Sequence, residues 1–294
     1  MPAVVAAYLT CALVWGTTWY AVRASTGPGG FPTLEAAALR FVLATLILAP
    51  IVVALRLGPW PRDRRTWIWM GVAGVLDAVS YALVYYGEER IPGGLAAVLF
   101  STQPLMLAVL LRATGYERVR IADVVGALVA LVGVGVIFAD RWDVSPTQVV
   151  GLVMLLGAVA ASTSYSVILK RHGPEVHPVV VTLIFLAVTA VALVIAAAVR
   201  GIEVPAWPPP ERATFALVYL AVMGSVVAFA TWLWLLRRLP LMVSGTLVFV
   251  LPVIALVVDA IWEHQLRLGG RAYLGIAIVL GGLAVSLAGK RATA

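Results

Sequence analysis

Residues 179–199 read VVVTLIFLAVTAVALVIAAAV, a stretch without a charge, set between Pro178 and Arg200. About 20 apolar residues let an α-helix cross the ~30 Å hydrocarbon core of a bilayer. Lipid offers no partner to a free backbone group, so a spanning segment is a helix or part of a closed barrel. Barrel strands would show ~10-residue segments alternating polar and apolar residues. This run is twice that length and apolar on every side, so it predicts a transmembrane helix.

Working outward, nine further runs have the same character. The expected spans are Ala3–Val22, Thr33–Leu55, Thr66–Gly87, Gly93–Arg112, Ile121–Ala139, Val149–Leu169, Val179–Val199, Ala213–Leu236, Met242–Trp262 and Arg271–Ala288. Punctuation rich in Gly, Pro and charge separates them, as at Gly27-Pro28-Gly29-Gly30, Pro59-Trp60-Pro61-Arg62 and Pro205 to Pro210. No loop is long enough to fold separately. The first run is long enough to be retained as a span and lacks a basic leader, so no cleavable signal is expected.

Composition agrees. The chain of 294 residues is 62% hydrophobic and 12% charged, with a mean hydropathy of +1.02. A soluble fold is typically ~45–50% apolar and ~25% charged, so lipid must solvate this one. The net charge of +7 falls between apolar runs, where anionic headgroups explain it. No basic stripe tracks a phosphate backbone, which argues against nucleic acid. Cys11 is the single cysteine, and His172, His177 and His264 are placed in loops, so no metal-ligand spacing and no cofactor are expected. With the amino terminus in the cytoplasm, inner loops hold thirteen Lys and Arg against seven outside. The positive-inside bias therefore puts both termini in the cytoplasm, although Arg23 after the first span pulls the other way.

The two halves echo each other. Thr17-Thr18-Trp19 corresponds to Thr163-Ser164-Tyr165, Pro32 to Pro178, Pro104 to Pro252, Tyr116-Glu117 to Trp262-Glu263, and Gly126 and Gly133 to Gly275 and Gly282. The division falls at 1–144 and 145–294, with five spans in each part. An odd number of spans makes the second part enter the membrane from the opposite side. The expected fold is all-α, integral to the membrane, with ten helices in two inverted five-helix repeats, an architecture suited to alternating access around a midplane site. Small residues Gly126, Gly133, Gly135, Gly275, Gly281 and Gly282 mark close helix packing.

Several segments together resemble the EamA-type branch of the drug/metabolite transporter superfamily. They are Leu13 through Trp19, Leu39-Arg40-Phe41, Gly93 through Ala97 with Gln103-Pro104-Leu105, and the Glu117…Gly126…Gly133 spacing with its echo Pro252…Glu263…Gly275…Gly282. The resemblance covers essentially the whole chain. It implies export or exchange of small metabolites, often amino acids or related compounds, in a bacterial inner membrane, and it names no substrate.

Ionisable residues inside spans default to function, because a charge at a helix centre costs about 2.5–3.5 kcal/mol on insertion scales. Asp77 is expected to bind a substrate ammonium or carry a coupling proton, or else to act as a structural partner of Arg40 or a hydroxyl. Arg40 is expected to tie helices or snorkel, or to meet a substrate carboxylate. Asp259 is read as a hydrated interface residue. Asp77, Tyr81 and Tyr85 follow at i+4 and are expected on one face. Gln103 precedes Pro104, where a proline frees a carbonyl, and Pro104 and Pro252 are candidate paired hinges. Trp15, Thr18 and Trp19 should approach Thr163 and Tyr165, with Trp232 beside them, making aromatic walls with a few hydroxyls for a modest organic solute. The alternative for each hydroxyl is a bond to its own helix. No GxxxxGK[ST] loop, HExxH helix or filter-like loop occurs, which disfavours nucleotide-driven transport, a membrane enzyme and a channel, and the deep polar region from Asp77 to Gln103 argues against the other alternative, a non-transporting membrane scaffold.

Overall fold

The computed structural model describes residues 2–91, 96, 99–137, 145–205, 207–262 and 270–288, without the side chains of residues 137, 256, 259, 260, 262, 272, 287 and 288. Asp259's side chain, Glu263 and Gly93 to Leu95 therefore lie outside the described residues. Among those described, every regular element is a helix. The helices are α1 (Pro2–Thr26), α2 (Thr33–Ala54), α3 (Arg64–Glu88), α4 (Gln103–Thr114), α5 (Ile121–Ile137), α6 (Pro146–His172), α7 (Pro178–Arg200), α8 (Glu211–Leu236), α9 (Leu241–Gly245), α10 (Leu247–Trp262) and α11 (Gly270–Ala288). Six are long and apolar enough to cross a membrane unaided. The ninth expected span is split into α9 and α10 at Thr246. His172 closes α6, stacked on Trp69 at 4.9 Å, rather than lying in a loop.

Local chemistry sets the ends. Asp63 caps α3, accepting from the Thr66 backbone N–H at 2.8 Å and from its hydroxyl at 2.6 Å. Those donors hold the exposed Asp63 carboxyl below the usual carboxylate range. Ser145 caps α6 through Gln148 N, with Pro146 in the first turn, where a missing N–H costs nothing.

The packing repeats itself. Helix α1 lies against α8 and α10, while α6 lies against α3 and α4; α3 meets α7, and α2 meets α8. These are the same contacts with the halves exchanged. The self-related pairs, α2 with α7 and α5 with α11, run antiparallel. Glu35 in the first turn of α2 receives Arg200 Nη2 from the end of α7, at 3.2 Å to each oxygen. Arg120, just before α5, donates to Ser286 O near the end of α11 at 3.0 Å. Corresponding spans that point in opposite directions are the mark of inverted repeats.

The α5–α11 crossing is built on glycine. A Cβ on Gly282 would stand 2.5 Å from Ala130 N and 2.6 Å from Gly126 O, while Gly281 faces nothing within 4 Å. Gly135 is likewise open, whereas Gly126 and Gly133, like Gly282, need to be small, a Cβ on Gly133 standing 2.8 Å from Gly275 O. In lipid, close backbone approach of this kind supplies the van der Waals contact that drives association. Gly282→Leu should destabilise the purified protein by about 1–3 kcal/mol through overpacking. Gly281→Leu should stay within about 0.5 kcal/mol of the parent. Equal thermal midpoints for the two variants in detergent would refute the glycine-faced crossing.

Candidate functional site

Arg40 is 1% exposed, within the apolar body of α2 beyond Glu35 of its first turn. It does not snorkel. Its Nε donates to Ser225 Oγ at 2.9 Å, and its Nη2 donates to Gly224 O at 3.2 Å and to Tyr81 OH at 3.3 Å. The guanidinium carbon sits 4.7 Å from the Tyr81 ring centre and 5.3 Å from that of Phe41. Arg40 thus ties α2 to α3 and α8, the helix-tie reading of the sequence. The acceptors come from a π-helical stretch of α8, Leu220–Val227. There Ala228 N–H reaches Met223 O, one residue past its α-helical partner Gly224. Such bulges are frequent at functional sites. The Gly224 carbonyl also accepts from Trp15 Nε1 at 3.2 Å. A Cβ at Gly224 would come within 3.1 Å of both Arg40 Nη2 and Thr18 Cγ2, so glycine lets three helices converge.

Beside this tie lies a cavity of about 120 Å³, walled by both halves of the chain. Trp15, Thr18 and Trp19 enter from α1, Arg40 from α2, Tyr81 from α3, Gln103 from α4, Thr163 and Tyr165 from α6, and Trp232 from α8. Phe229 links the aromatics, with its ring 5.4 Å from Trp15, 6.4 Å from Tyr81 and 6.2 Å from Trp232. Tyr165 stands 6.0 Å from Trp232, and Phe100 stands 5.3 Å from Trp19. Gln103 Nε2 donates to Ser162 Oγ at 3.2 Å, joining α4 to α6. Thr18 and Thr163 bond the preceding turn of their own helices, each at 2.7 Å. They offer the cavity methyl groups and already engaged hydroxyls.

Asp77 and Tyr85 are buried but do not line the cavity. Steps of i+4 advance about 40° around a 3.6-residue helix, so Asp77, Tyr81 and Tyr85 fan out instead of sharing one face. Asp77 turns toward α7, where Thr189 Oγ1 stands 3.0 Å from Asp77 Oδ2 and 3.1 Å from Gly74 O. Asp77 Oδ1 has no hydrogen bond among the described residues, and Arg40 and Tyr165 are close by.

The two prolines have different surroundings. Pro104 sits in the first turn of α4, after a turn at Ser101-Thr102, so it starts a helix rather than kinking one. Pro252 lies inside α10 and cannot bond Val248 O. Ser101 Oγ donates to that carbonyl at 3.3 Å. The carbonyl freed by a proline is thus on Val248, filled from the other half, and not beside Gln103.

Sequence reasoning did not single out Phe100, Phe229, Ser166, Ser244 and Glu88, all of which line the cavity. Phe229 was visible as the i−3 neighbour of Trp232. Glu88 stands one residue past the expected end of the third span.

One end of the cavity is closed by the turn between α8 and α9. Lys170 Nζ donates to Leu236 O at 2.7 Å and to Leu239 O, and lies 3.5 Å from Glu117 Oε1. Glu117 Oε2 accepts from Leu241 N at 2.9 Å. Beyond the turn is a second cavity of about 280 Å³, bordered by Tyr116, Lys170 and Arg237. Leu236, 2% exposed, lines both cavities and so partitions them. Hydrogen bonds to a charged group contribute about 1.5–3 kcal/mol. In a Cys11→Ser, Ser244→Cys background, Lys170→Met should therefore speed labelling by a hydrophilic maleimide about tenfold. An unchanged rate would make the cluster a static support.

A helical membrane bundle whose two inverted halves enclose one aromatic cavity is the architecture of a membrane carrier. The EamA-like transporter family matches this chain twice, over residues 2–139 and 149–288, and the chain belongs to that family, within the drug/metabolite transporter superfamily. Protein PecM of Dickeya dadantii is 26% identical, over 95% of this chain and 89% of its own. A protein of Streptantibioticus cattleyicolor named "Probable terminal-alkyne amino-acid exporter" is 27% identical, over 91% and 89%. One crystal structure superposes with a TM-score of 0.78 at 24% identity, covering 98% of both chains, and so shares the fold. The protein is an integral membrane transporter of small molecules rather than an enzyme.

Proposed function

We propose that this protein is a secondary transporter that exports or exchanges amino acids or related small organic solutes across a bacterial cytoplasmic membrane. Residues 1–144 and 145–294 act as the two inverted repeats, moving around the shared cavity by alternating access, with both termini in the cytoplasm. The observation that carries this reading is the cavity itself. Its wall draws on α1 to α4 and on α6, α8, α9 and α10, so relative movement of the halves changes its access without rebuilding it. Trp15, Trp19, Tyr81, Tyr165, Phe229 and Trp232 supply apolar area, and few polar groups fix orientation, the usual make-up of a small-molecule site. The name of the Streptantibioticus cattleyicolor relative, "Probable terminal-alkyne amino-acid exporter", supports the substrate class.

Counterflow of a labelled amino-acid panel in proteoliposomes, with and without a pH gradient, tests the reading. Saturable exchange is expected for at least one amino acid. Its absence from folded, correctly inserted protein would sink the amino-acid assignment. Asp77 is the candidate for coupling, because it is buried at the join of α3 and α7 with one oxygen unbonded. Asp77→Asn should insert normally and lower gradient-driven exchange about tenfold or more, the scale at which a one-unit free-energy loss of 1.4 kcal/mol is read. Undiminished exchange would leave Asp77 a structural partner of Thr189.

A further inference from the structure

Arg40 carries a charge that the protein does not neutralise at close range. Its hydrogen-bond partners, the Ser225 hydroxyl, the Gly224 carbonyl and the Tyr81 hydroxyl, are neutral, as is the nearby Tyr85 hydroxyl. Among the described residues, no carboxylate comes within the 4.0 Å of an ion pair with it, whereas Arg120 with Asp123, Lys170 with Glu117 and Arg200 with Glu35 do pair, toward helix ends. Asp77 reaches Arg40 only through its field, and its own bonded oxygen is directed to Thr189. A buried ion is tolerated where its partner stands beside it. Here the side chain is 1% exposed, yet it lines the central cavity. Glu88 also lines the cavity but forms no ion pair with Arg40, so the place beside the guanidinium for a neutralising anion is inside the cavity.

We propose that Arg40 is the group that binds a carboxylate on the transported solute, so that the cavity takes carboxylic acids, amino acids included, with the acid end seated between α2 and α8. This deepens the transport reading and rests on it for the word "transported". The guanidinium suits the role. Ser225, Gly224 and Tyr81 engage Nε and Nη2, and the two N–H groups of Nη1, which none of these bonds uses, are the donors for a carboxylate oxygen, on a plane that a lysine ammonium would not keep. It is also held from behind: Ser225, Gly224 and the Tyr81 ring fix its plane before any solute arrives, which reduces the ordering cost of binding. The rings of Trp15, Phe229 and Trp232 then receive the apolar remainder of the solute.

The site is tested by binding, read apart from transport. Trp15, Trp19 and Trp232 border the cavity, so tryptophan fluorescence of the purified full-length protein reports occupancy. Each amino acid of the panel is titrated against its own methyl ester, which keeps the side chain and amino group but removes the anion. In the wild type, at least one free acid should bind about tenfold or more tightly than its ester, the factor that loss of a single charged contact produces. Arg40→Lys should shrink that preference, and Arg40→Gln should abolish it while leaving ester binding in place. If Arg40→Gln does not fold, the wild-type ratio and the Lys variant decide. Equal binding of acid and ester in the wild type, binding of no acid at all, or an unchanged ratio in Arg40→Lys each overturns the proposal. An acid preference without counterflow would sustain the carboxylate site and remove the transport reading instead.

Discussion

The buried guanidinium of Arg40 constrains more of this structure than any other group. A cation inside a bundle solvated by lipid needs acceptors, and the helices around it have spent their carbonyls on their own hydrogen bonds. The π-helical stretch of α8 resolves this by shifting one bond of the ladder, which turns the Gly224 carbonyl toward both Arg40 and Trp15. Glycine at that position allows the approach. Three helices are thereby drawn to one point, and the cavity opens beside it because the aromatic side chains that surround the point are too large and too rigid to close over it.

The same tie has a counterpart across the pseudo-two-fold. On one side α2 of the first half reaches into α8 of the second, where Arg40 meets Gly224 and Ser225. On the other, α7 of the second half reaches into α3 of the first, where Thr189 meets Gly74 and Asp77. Each is a donor from the second span of a repeat placed against a glycine carbonyl and a polar side chain of the opposite repeat's third span. The geometry is shared but the chemistry has diverged. One copy kept a cation and the other a carboxylate with a neutral donor. Symmetric placement gives the halves matching joints, one built on a cation and the other on a carboxylate.

The spans were legible in the sequence because a helix crossing lipid must be apolar over its whole length, and hydropathy reads that directly. The expected ends of α2 and α7 fall within a residue of those observed. The breaks were less legible. Leu241 to Trp262 is apolar apart from Ser244, Thr246 and Asp259; Ser244-Gly245-Thr246 at the interruption reads as small residues that a membrane helix tolerates, and Pro252, the stronger signal, lies a turn and a half further on. The π-helical stretch LAVMGSVV reads as ordinary helix for the same reason. At the site, Trp15, Trp19, Gln103 and Tyr165 stood out because aromatic and polar residues at depth contrast with their surroundings. Phe100 and Phe229 did not, being apolar among apolar neighbours. The direction in which Asp77 faces was hidden too, since a helix buried or lipid-facing all round carries no amphipathic stripe to orient it.

Where the protein can move follows from where its backbone is already interrupted. The α5–α11 crossing is backbone against backbone, with Gly282 over Gly126 and Ala130. Such a contact has no side chains to slide and gives its energy only at one separation. It is a fixed scaffold. The regions around α4, α9 and α10 are the reverse: a turn before Pro104, a break at Thr246, and a carbonyl at Val248 held by a lone hydroxyl from Ser101. These helices line the cavity, and the turn that closes it is held by one lysine and one glutamate rather than by packing alone. A few polar bonds can exchange for water at small net cost, whereas a close-packed glycine face cannot open without losing its contacts outright. On the proposed alternating-access reading, the conformational change is therefore expected in the fourth and ninth spans, against a frame held by the fifth and tenth.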